Sequence, residues 1–71
     1  SLEQTYERMQ TLQEIQEALL SFTPKQRRRF LLHFAYGYTY LEIARMEGSN
    51  KSTVMRSAKT ALKKLQEKLA A

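Results

Sequence analysis

Residues 39–65 read TYLEIARMEGSNKSTVMRSAKTALKKL, and three positions inside this stretch decide the fold: Ala44, then Gly48, then Val54. A small residue lets two helices approach, a glycine takes a sharp turn, and a branched residue anchors the second helix on a core. A helix-turn-helix makes all three demands at once. Thr39 is the cap of a short helix that carries Leu41, Ile43, Ala44 and Met46, and Gly48 breaks it. Asn50 caps the last helix, which has no Gly or Pro from Lys51 to the end and is rich in Ala, Leu and Lys. Val54, Ala58, Ala61, Leu65 and Leu69 share one face of it, with Leu62 at the edge.

Outward from this stretch the pattern stays helical. Leu2, Tyr6, Met9, Leu12, Ile15 and Leu19 recur at steps of three and four, which predicts an amphipathic N-terminal helix over residues 1–21. Thr23 and Pro24 then start a second helix, Thr as acceptor for free amides and Pro at a position where its missing N–H costs nothing. It is predicted to run from Pro24 to Tyr36, with Phe30, Leu31, Phe34 and Ala35 inward and Lys25, Arg27, Arg28 and His33 outward, and to close on Gly37 in the left-handed conformation. The expected fold is all-α: one domain over 1–71 with four helices, an amphipathic helix over 1–21 followed by a helix-turn-helix unit over 22–71.

With 71 residues and no cysteine, the chain has room for one small core and no disulfide or thiolate metal site, which fits a reducing cytoplasm. It has no Asp and a single His, so no Asp-based triad and no His-rich metal site can be built, and neither catalysis nor a cofactor is expected. His33 is read as a surface residue. No apolar run is long enough to span a bilayer. Residues 1–22 carry four Glu against one Arg, a net of −3, while residues 23–71 carry eleven Lys and Arg against three Glu, a net of +8. The basic part is the candidate surface for a polyanion; a merely solvated basic face is the competing reading.

Once Val54 and its neighbours face the core, the opposite side of the last helix presents Ser52, Arg56, Lys59, Thr60 and Lys63, with Lys51 beside them at the positive helix end. A recognition helix has this layout: early residues reach base edges, later basic ones follow phosphates. Arg56 leads the base-contact candidates because its planar fork can bond a guanine edge twice. Lys51 and Ser52 follow, and Lys59 suits either base or backbone. Thr39, Thr53, Thr60 and Lys63 are the expected phosphate contacts, although capping explains Thr39 equally well. Lys64 and Lys68 read as an ordinary solvated helix end. Arg27, Arg28 and Arg29 read as a solvated face, and Tyr36, Tyr38 and Tyr40 as packing around Gly37.

From Phe22 to about Leu65, some two-thirds of the chain, the sequence resembles region 4 of the sigma-70 family of bacterial RNA polymerase sigma factors. The matching residues are Thr23-Pro24-Lys25-Gln26-Arg27, Phe30-Leu31-Leu32, Gly37, Tyr40-Leu41-Glu42-Ile43-Ala44, Gly48, Thr53-Val54 and Ala61-Leu62-Lys63-Lys64-Leu65. The resemblance implies recognition of a minus-35 promoter element in double-stranded DNA and docking on the beta-subunit flap of the polymerase core. It also implies that Lys51, Ser52, Met55, Arg56 and Lys59 lie where bases and nearby backbone are contacted. Arg29, Glu47, Ser49 and Ser57 depart from it, since those positions are usually apolar in the family, and a smaller or partly polar core around the turn is expected. Nothing resembles the family's region 2, so the chain reads as the C-terminal piece of a sigma factor or as a stand-alone sigma-like regulator.

Two other readings stay open. One is the similar helix-turn-helix of LuxR-type response regulators, against which the Phe30-Leu31-Leu32 and Ala61 to Leu65 segments speak. The other is an interaction module that holds polymerase or a regulator without binding DNA. The N-terminal stripe is expected to cover the domain's own core, with dimerisation or partner binding as alternatives.

Overall fold

The computed structural model describes residues 1–70; Ala71, which the sequence assigns to the last helix, lies outside the described residues. Its elements are α1 (Leu2–Ser21), α2 (Pro24–Phe30), a π-helical segment (Leu31–Ala35), α3 (Tyr40–Glu47) and α4 (Lys51–Ala70). No strand occurs among the described residues.

Local chemistry sets the helix ends. Ser1 caps α1, accepting from the Gln4 amide at 3.2 Å. Thr23 and Gln26 form a reciprocal capping box with Pro24 in the first turn of α2. Gly37 and Gly48 both take left-handed backbone, φ 81° and 69°, so each ends the helical stretch before it. Phe22 leaves α1 in extended conformation and its ring meets Phe30 edge-on, with centroids 5.8 Å apart.

The long α4 is the hub against which α1, α2 and α3 pack. Two buried clusters lie along it. Phe22, Phe30 and Ala61 form one, with Leu19, Leu31, Leu62 and Leu65 around them; Ile43, Ala44 and Val54 form the other, with Leu32 and Tyr40.

The second helix departs from its predicted form. It is α only to Phe30, after which the bonding widens: the Tyr36 amide donates to Leu31 O at 3.0 Å and the Tyr38 amide to Leu32 O at 2.9 Å. Within the widened segment Leu31 packs on the first cluster and Leu32 on the second. Phe34 and Ala35 face outward, where they were expected inward. His33 closes the segment: its ring stacks on Tyr40 at 3.9 Å, and its Nδ1 lies 2.7 Å from Tyr38 O. A carbonyl oxygen only accepts, so Nδ1 carries the hydrogen. Tyr36 and Tyr38 are exposed rather than packed.

Nor are the three arginines a solvated face. Arg27 Nε donates to Leu19 O at 2.8 Å and its Nη2 to Phe22 O at 3.3 Å, satisfying carbonyls at the end of α1. Arg29 is buried and pairs with Glu47, Nη2 to Oε2 at 2.9 Å. Only Arg28 is well exposed, 3.7 Å from Glu47. The partly polar core expected around the turn is thus a charge pair.

The first helix corrects the largest expectation. It packs antiparallel to α4, with Leu19 against the Phe22 cluster and Glu17 bridged to Lys68 at 3.5 Å. Beyond that pair α4 ends, so roughly the first 13 residues of α1, about 20 Å of helix, run on without cover. The molecule is accordingly elongated, 46 × 20 × 16 Å with a radius of gyration of 14.0 Å, against about 11 Å for a compact chain of this length. Leu2, Tyr6, Met9 and Leu12 are exposed, Ile15 is half-buried and only Leu19 of the stripe packs on the core, so most of the stripe does not cover the domain's own core. Steps of three residues turn a helix by less than a full circle, so from Tyr6 through Met9 and Leu12 to Ile15 the line drifts steadily around α1.

Candidate nucleic-acid interface

The turn between α3 and α4 is fixed from both sides. Gly48 and Ser49 both donate their amides to Ala44 O, the latter at 2.9 Å. Asn50 Oδ1 then accepts the Thr53 amide and the Thr53 hydroxyl, each at 2.9 Å, which caps α4. Behind the turn Ile43, Ala44 and Val54 are essentially sealed from solvent. Because Val54, Ala58 and Ala61 are all buried, the roll of α4 about its axis is set, and the opposite side must face water.

That side carries the residues singled out from the sequence. Lys51, Ser52, Arg56, Lys59, Thr60 and Lys63 are exposed, and Met55 is half-buried at the border of the face. Ser52, Met55, Arg56, Lys59, Thr60 and Lys63 line one shallow surface along about the first three and a half turns of α4. None of Lys51, Arg56, Lys59 or Lys63 has an ion-pair partner among the described residues, so their charge is free to meet an anion. Farther along, Lys64 donates to the neutral Gln26 Oε1 at 3.3 Å and Lys68 is bridged to Glu17, so of the α4 cations Lys68 is the one neutralised within the described residues.

Two threonines named as phosphate contacts are engaged internally. The Thr53 hydroxyl gives its hydrogen to Asn50. Thr39 caps α3: its hydroxyl accepts from the Glu42 amide at 3.1 Å and its own amide donates to Glu42 Oε1 at 3.0 Å. The positive end of α3 therefore already holds a carboxylate. The Thr39 amide first, then its hydroxyl, and less strongly Arg45, hold the Glu42 carboxyl below its ordinary range.

A carboxyl lowered on folding contributes stability at neutral pH that is lost as the pH falls through the lowered value. The melting midpoint should therefore drop in acid, and Glu42→Gln, which keeps a capping acceptor, should remove part of that drop. An unchanged acid profile for Glu42→Gln would contradict this.

Sequence reasoning missed the group that braces the turn from outside. Arg29 Nε reaches Glu47 Oε2 at 3.0 Å, and the Ser49 hydroxyl donates to the same oxygen at 3.3 Å. These contacts tie α2 to the last residue of α3 and the first after Gly48. The available signal was two opposite charges at positions expected to be apolar.

A basic helix held across a shorter one by a left-handed glycine turn, with its cations unpaired, defines a helix-turn-helix DNA-binding domain. The chain belongs to the sigma-70 region 4 family: the family model described as Sigma-70, region 4 matches residues 12–65. No curated protein and no solved structure matches it. The family is a DNA-binding part of the transcription machinery rather than a catalytic one, and its members bind DNA and the RNA polymerase core. The matched segment begins in the middle of α1 and leaves residues 1–11 outside. No helix of the described residues is long and apolar enough to cross a membrane, and no group of metal-binding side chains occurs among them.

Proposed function

We propose that the chain reads a promoter element of minus-35 type by laying the first half of α4 in the major groove of duplex DNA. In this reading Lys51, Ser52, Met55, Arg56 and Lys59 face base edges and the phosphate backbone beside them. Lys63, Thr60 and the hydroxyls of Thr39 and Thr53 meet phosphates, Thr53 only by releasing its bond to Asn50. The beta flap of the polymerase core is the proposed protein partner. The observation that carries the proposal is the run of unpaired cations on the exposed side of α4, directly opposite Val54, Ala58 and Ala61. A major groove about 12 Å wide admits one α-helix, and an arginine near its N-terminal part is placed for guanine O6 and N7.

Selection of bound sites from a random duplex pool tests it. Enrichment of one short sequence supports base reading; recovery of unenriched duplex, or of none, contradicts it.

A further inference from the structure

The first helix carries a second apolar seam that the body does not use. Leu2, Tyr6, Met9, Gln13, Gln16 and Leu20 follow one another at alternating steps of four and three residues, and all six are exposed. This is the core spacing of a coiled coil. Leu2, Tyr6, Met9 and Leu20 are 90, 69, 60 and 67% exposed. At 100° per residue the seam is centred about 150° around the helix from Ala18, Leu19 and Phe22, which pack into the body. Folding of α1 onto its own domain therefore leaves the seam bare along its whole length.

We propose that this seam pairs with the same seam of a second copy, as a short parallel two-stranded coiled coil. In register, Leu2, Tyr6, Met9 and Leu20 each meet their own counterparts. Gln13 and Gln16 form two polar layers whose carboxamides both donate and accept, so each satisfies its twin. Polar layers of this kind specify register at some cost in stability. The flanking positions that meet across a parallel seam are Thr5 with Gln10 and Leu12 with Glu17, so no like charges are opposed. An antiparallel pairing of the same layers sets Glu3 against Glu17, and the charge pattern disfavours it. Covering the four apolar side chains in both copies removes on the order of 1,000 Å² from water, the scale of a weak, concentration-dependent interface. Both bodies then lie at the same end of the pair, and the pairing does not rest on the DNA reading.

Sedimentation equilibrium of the 71-residue chain, without DNA and from micromolar to millimolar concentration, tests the pairing. The mass is expected to rise from one chain to two. Tyr6→Glu with Met9→Glu, both on the uncovered part of α1, should hold it at one chain throughout while the body melts as before. Gln13→Leu with Gln16→Leu should tighten association by at least about tenfold by removing the polar layers. A single-chain mass up to millimolar, growth to three or more chains, or association unaffected by Tyr6→Glu with Met9→Glu would overturn the proposal, whatever the outcome with DNA.

Discussion

Glu47→Ala is expected to destabilise the chain by about 3 kcal/mol, the largest loss from any polar substitution in this protein. The Arg29 side chain is 9% exposed and that of Glu47 14%, so removing the carboxylate strands a guanidinium where water scarcely reaches it. Residual access trims the cost toward the low end for buried pairs. A domain of this size is held by only some 5 kcal/mol, and the melting midpoint should fall by about 15 °C or more. The double change Arg29→Met with Glu47→Leu removes both charges and fills the space, and should melt near the unaltered chain or above it. Circular dichroism melts of the three proteins decide the matter. If Glu47→Ala alone melted like the unaltered chain, the pair would be an ordinary surface bridge.

Arg56→Ala should weaken binding to the selected duplex by about 1–3 kcal/mol, roughly five- to 150-fold in Kd, with a much smaller effect on random duplex. The asymmetry follows from geometry. Arg56 is exposed near the middle of the basic face and has no intramolecular ion pair among the described residues, so its removal costs DNA contacts and not folding. Lys68→Ala is the control: Lys68 lies near the far end of α4 and is bridged to Glu17, and its loss should leave both affinities unchanged. Equal weakening on selected and random duplex would make Arg56 a phosphate contact, and the base-reading role would pass to Lys51 or Ser52.

Signals that act within a few residues were legible in the sequence. Thr23-Pro24, Thr39, Asn50 and the two glycines mark helix ends through bonds that close over three or four positions, and the structure has those bonds. The roll of α4 was legible for the same reason, because Val54, Ala58 and Ala61 repeat at helical spacing. Features that depend on distant partners were not. The π segment is one: its widened bond, from the Tyr36 amide to Leu31 O, leaves no mark in the spacing of residues 24–36, and Leu31 and Leu32 pack on separate clusters distant in sequence. Arg29 and Glu47 lie 18 positions apart, and each alone reads as a surface charge. The stripe on α1 was misread because its three-residue steps blend two faces, one packed and one bare.

Whether the exposed side of α4 is a polyanion surface is tested most directly by the salt dependence of duplex binding. If Lys51, Lys59 and Lys63 neutralise phosphates, with or without Arg56, a plot of log affinity against log salt should fall with a slope of about −2.7 to −3.6. Affinity that stays flat as salt rises, or no binding even in dilute buffer, would contradict it.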